Sequence, residues 1–133
     1  MKTILAGVLV AAGLLLAARP TVAHHAFSAE FDANKPVSLT GTVTKVEWTN
    51  PHAWFYIDVT DAAGKVTNWA LELGGPNGLI RSGWTRNSMK VGEVVTVEGS
   101  RAKDGSPIAN AQAVTLKSTG KRLFAASSRG QQQ

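Results

Sequence analysis

The sequence predicts a mostly β protein: a five-stranded barrel of the OB type, in the order β-β-β-α-β-β, behind a cleavable signal peptide. Three observations carry this. Five segments alternate apolar and polar residues with a period of two. The first is long and slips phase within itself. A single short helical stretch separates the third from the fourth. An open β-sandwich is the structural alternative, and the helix argues against it.

The leader comes first. Met1 and Lys2 give a positive start, and Ile4 to Ala18 is an unbroken run of apolar or small residues. Arg19 and Pro20 break it, and Thr21 to Ala23 supplies small residues for a cleavage site. That pattern reads as a secretory signal over residues 1–23. The rival is a membrane anchor, but a spanning helix needs about 20 apolar residues and this run is shorter. The expected location is the periplasm or outside the cell, with no membrane contact after cleavage. Cleavage after Ala23 makes His24 the first residue of a 110-residue mature chain.

Residues 24–36 read as a polar lead-in, and 37–118 as the barrel. In the first strand, Val37 to Trp48, the residues Val37, Leu39 and Val43 share one face, while Val46 and Trp48 fall on the opposite phase. A bulge near Gly41 to Lys45 accounts for the slip. Asn50 and Pro51 mark a turn. From Ala53 to Thr60, Phe55, Ile57 and Val59 alternate with Trp54, Tyr56 and Asp58. A tight loop from Asp61 to Gly64 leads into the return strand, Lys65 to Leu73, with Trp69, Leu71 and Leu73 on one face. Pro76 opens a helix of about two turns with Leu79 and Ile80 as its apolar face, and Gly83 ends it. Val94 to Arg101 and Ile108 to Leu116 form the closing hairpin around Lys103, Asp104 and Gly105. Residues 119–133 form a tail. Leu123 and Phe124 are positioned to dock on the barrel, whereas Ser127 to Gln133 has nothing to bury and is expected to be disordered.

Composition narrows the function. With no cysteine among 133 residues, disulfide scaffolds, thiol catalysis and Cys-ligated metals are excluded. Losing Lys2 and Arg19 with the leader leaves 12 basic and 9 acidic side chains, a net charge of +3. This mild charge, with export, argues against a nucleic-acid partner. No Ser-His-Asp order, phosphate loop or dinucleotide fingerprint is present, and no catalytic residue is assigned.

Several segments together resemble a known family. These are His24-His25-Ala26-Phe27, Thr40-Gly41-Thr42-Val43, Trp48-Thr49-Asn50-Pro51-His52, Asn68-Trp69, Gly83-Trp84-Thr85-Arg86, and the run from Gly92 to Gly99. They are similar to a family of small exported bacterial proteins catalogued as a domain of unknown function, over about residues 24–125. Glu93 departs from it, since the family more often has Asp there. The resemblance implies export and a compact β domain, and it supplies no activity.

The chemistry therefore rests on the residues. A mature N-terminal His offers its α-amine and its ring nitrogen to one metal, and both are free near neutral pH. A second ring, from His52 or His25, completes a T-shaped set of three nitrogens that suits Cu(II). His24, His25 and His52 are thus candidate ligands and copper the candidate cofactor, in a carrier or accessory role. The local chemistry resembles the histidine brace of copper enzymes and carriers, which have other folds. Glu30, Asp32 and Glu72 are further carboxylates that no spacing singles out. The plainer reading is a solvated His pair and a His52 that only caps its turn. The alternative function needs no metal: a module gripping a small molecule, glycan or periplasmic protein with Trp54, Tyr56 and Trp69. Against it stands a fold in which the core covers one face of these strands and the lead-in the other. A copper-dependent oxidative enzyme ranks last, because no substrate cleft or second catalytic group is legible. The basic group Arg81, Arg86 and Lys90 reads as a solvated helix end.

Overall fold

The computed structural model describes residues 27–125. The leader, His24, His25 and the end of the tail lie outside the described residues. A short helix α1 (Phe27–Glu30) leads into β1 (Phe31–Glu47), followed by β2 (Trp54–Thr60), β3 (Val66–Glu72), helix α2 (Pro76–Arg81), β4 (Val94–Ala102), β5 (Ile108–Leu116) and β6 (Arg122–Phe124). The sheet runs β3-β2-β1-β4-β5-β6, and an added pairing of β3 with β5 closes the first five strands into a ring. The closing pair is parallel, with Leu71 beside Ala109 and Glu72 beside Asn110, and the other pairings are antiparallel. This closed ring with a helix between β3 and β4 is the OB arrangement, and the closure excludes the open sandwich.

The 17-residue β1 serves two partners. Pro36 to Thr42 pair with β4, and Thr42 to Glu47 pair with β2. The expected bulge is at Thr44: the register passes from Val43↔Ile57 to Lys45↔Tyr56. One extra residue reverses the alternation, so Val43 is buried and Val46 also packs on the core. The phase slip in the sequence is thus the bend of a strand crossing from one half of the barrel to the other.

The interior is filled by the inward row of each strand, with Phe55, Ile57, Leu71, Val95, Val97 and Val114 fully buried. Leu79 of α2 enters this core, whereas Ile80 is exposed, contrary to the expectation that both face inward. Neighbouring helical residues point about 100° apart, so a helix of six residues buries only one of them. Trp84 follows at Gly83 and is buried, its indole N–H donating to Phe124 O at 2.8 Å.

Two boundaries differ from the expected ones. The strand starts at Phe31, inside the expected lead-in, and α1 precedes it. Phe27, Phe31 and Ala102 form a second apolar cluster with Ile108, separate from the barrel interior. The described part of the lead-in therefore places Phe27 and Phe31 in an outer layer. At the other end, β6 adds a strand within residues expected to be tail, burying Leu123 and leaving Phe124 exposed.

Candidate functional site

Register gathers the outward-facing residues into a belt. Glu47 stands beside Trp54, Trp54 beside Glu72, Glu72 beside Asn110, and Asn110 beside Ser100. Glu72, Asn110 and Ser100 of this belt are buried polar residues. The Asn110 amide donates to Glu72 Oε1 at 3.1 Å.

His52 comes from the loop between β1 and β2. That loop is held by backbone bonds in both directions between Ala53 and the end of β3: Ala53 N–H to Gly74 O at 3.0 Å, and Leu73 N–H to Ala53 O at 2.8 Å. The Asn50–Pro51 peptide within it is cis. His52 Nδ1 lies 3.0 Å from Leu73 O and 3.6 Å from Glu72 Oε1. A carbonyl oxygen only accepts, so Nδ1 carries the proton. In the neutral ring, the lone pair is then on Nε2, the nitrogen turned away from the carbonyl. Of the three carboxylates noted in the sequence, Glu72 is the one that meets His52. Among the described residues no group of three His, Cys, Asp or Glu side chains comes together.

The lead-in bears on the same face. Phe27 packs in the cluster with Ile108, and Ile108 is beside Ala70 on β3. Glu72 lies two residues further along, about 7 Å away. His25 and His24 precede Phe27 by two and three residues, a reach of about 7–11 Å.

The structure divides the three aromatic candidates. Trp54 and Tyr56 are half-buried on the outward face. Trp69 pairs with Ile57, on the inward face, and belongs to the core. Period-two alternation separates it from the other two, and the Arg101 guanidinium lies 5.3 Å from its ring centroid. Tyr56 is also committed, since its hydroxyl donates to Glu47 Oε2 at 3.0 Å while the Lys45 ammonium stands over its ring. Partial burial, then the bond to Glu47, raises the Tyr56 pKa above 10.0. Bonds from Lys45 and Tyr56 hold the Glu47 carboxyl below its ordinary value.

The β4–β5 turn is held by its own side chains. Asp104 Oδ1 accepts from the Ser106 hydroxyl at 2.6 Å and the Ser106 N–H at 2.9 Å. Those bonds, hydroxyl first, hold the Asp104 carboxyl below its ordinary 3.8. A depressed folded-state value means that the bonds contribute fully above the ordinary aspartate range and are lost as pH falls through the folded value. In an NMR pH titration, the Ser106 amide should therefore move with a midpoint below 3.8. A midpoint at or above it would show that the turn is not held this way.

Fold and site together define an OB-type barrel with an added sixth strand and a polar belt beneath its first loop. The chain belongs to a family of unknown function, DUF6152, which matches residues 11–111. No curated protein matches it. Among solved structures it is similar to the mitochondrial single-stranded DNA binding protein Rim1 of S. cerevisiae. The two share 12% identity with a TM-score of 0.49, over 62% of this chain and 93% of that one. The expectation that nucleic acid is excluded as a partner is corrected by this match to a DNA-binding protein. Mild net charge does not bar such a role, because single-strand binding also rests on aromatic stacking. DNA binding itself is a property stated of the yeast protein. No helix among the described residues is long and apolar enough to cross a membrane.

Proposed function

We propose that this chain is a small exported binding protein that holds one copper ion between its mature N-terminus and His52, in a carrier or accessory role. The observation that carries this reading is the set orientation of His52. Its Nδ1–H is given to Leu73 O, and its second nitrogen is left as a donor. Metal-ligating histidines are held this way, with the other ring nitrogen bonded to a carbonyl or carboxylate. Glu72 supplies the neighbouring negative charge. Export and cleavage before His24 supply the amine and ring that complete three nitrogens. Nitrogen donors in that number favour Cu(II), which stands highest in the divalent affinity order.

Intact mass of the exported protein tests the first premise, and a one-equivalent Cu(II) titration followed by its visible band tests the second. The expected result is a chain starting at His24 that binds one copper. Both His24→Ala and His52→Ala should lose the band. A different start, or a band unchanged in His52→Ala, overturns the proposal.

A further inference from the structure

A cavity of about 390 Å³ lies between α1, the β4–β5 turn and the start of β2. This is the small end of the range of small-molecule sites. Trp54 and Ile108 give it an apolar wall, and Glu30, Lys103, Asp104 and Ser106 are at its polar side. Its frame is fixed by hydrogen bonds. Lys103 N–H donates to Glu30 O at 2.8 Å, and the Lys103 ammonium donates to Ser28 O. Both bonds from Ser106 fall on Asp104 Oδ1, which leaves Oδ2 to accept from a ligand.

Two carboxylates and one ammonium share this rim, so an anion meets Glu30 and Asp104 and a cation meets Lys103. A neutral molecule with one apolar face and a hydroxyl edge uses every group. Its C–H face covers the indole, its hydroxyls donate to the carboxylates, and a hydroxyl oxygen accepts from Lys103. We propose that this cavity binds one neutral saccharide unit, stacked on Trp54 and hydrogen-bonded to Asp104, Glu30 and Lys103. The site needs no metal and does not rest on the copper reading. Neither Trp69 nor Tyr56 takes part: one is in the core, and the other is bonded to Glu47.

The test is an NMR titration of the mature protein, without metal, following the four tryptophan indole N–H signals. The probes are cellobiose and N,N′-diacetylchitobiose, with benzylamine and benzoate as charged comparators. The expected result is a saturable shift of the Trp54 signal by at least one disaccharide, with a dissociation constant in about the millimolar range or tighter. Asp104→Ala, which leaves the indole in place, should weaken binding several-fold. Trp54→Ala should weaken it by about tenfold or more, as loss of a stacking platform does. Tyr56→Phe and His52→Ala should leave it unchanged, so that failure of the copper proposal and failure of this one remain separate. Saturation by benzylamine or benzoate while both disaccharides leave Trp54 unmoved overturns the proposal. So does disaccharide affinity that survives both Trp54→Ala and Asp104→Ala.

Discussion

Gly99→Ala should lower the stability of the barrel by about 3 kcal/mol, the upper end of what overpacking costs. A Cβ at Gly99 would stand 2.2 Å from Asn110 O and 3.0 Å from its carbonyl carbon. Both are backbone atoms of the facing strand, so no side-chain rotation relieves the contact. The position is special because the β4–β5 register slips there, from Glu98↔Ala113 to Gly99↔Ala111, leaving Gln112 as the extra residue on β5. Relief requires β4 and β5 to separate where β5 also closes the ring on β3. Gly64→Ala is the control. Gly64 has a φ of +82° with nothing within 4 Å of an added Cβ, so only the left-handed backbone is penalised, by about 1–2 kcal/mol. Urea unfolding of the two variants should rank Gly99→Ala well below Gly64→Ala. Equal midpoints would mean that the strands give way freely, and that the close approach does not hold the ring. Small domains have only about 5–15 kcal/mol in total, so the expected loss is a large share.

The barrel was legible because each strand faces water on one side and core on the other. Val43 and Val46 could not share a face of a regular strand, so the bulge between them was written in the spacing. The same rule separates Trp69 from Trp54 and Tyr56 once Trp69 is placed opposite Ile57. That cross-strand register depends on the length of the Asp61–Lys65 turn, not on composition. Glu72 was visible only as one carboxylate among several. Its value as a partner of His52 comes from the parallel contact with β5 and from the bonds that hold Ala53 to Gly74 and Leu73, which join segments distant in sequence. The outer layer of Phe27 and Phe31 was hard to read for another reason. Two apolar residues in a polar stretch give too little periodicity to specify an element, and their partners Ala102 and Ile108 come from the last hairpin.

Glu72→Gln should leave the fold close to its original stability and weaken copper binding by about 10–100-fold, the usual loss when a partner of a metal-bound histidine is removed. Glutamine keeps an oxygen that accepts from the Asn110 amide, so the buried bond at 3.1 Å survives. What it removes is the negative charge 3.6 Å from His52 Nδ1. That charge favours electron donation from the opposite nitrogen and stabilises a cation bound there. Glu72→Leu removes the acceptor as well, and a buried amide deprived of this bond should cost about 1–3 kcal/mol. The two variants therefore separate structure from chemistry: Leu lowers both the urea midpoint and copper affinity, Gln only the affinity. Unchanged copper affinity in Glu72→Gln would reduce Glu72 to a structural partner of Asn110. A loss of stability in Gln equal to that in Leu would show instead that the fold depends on the charge itself, and that the belt is held together by His52 and Glu72 as an ion pair.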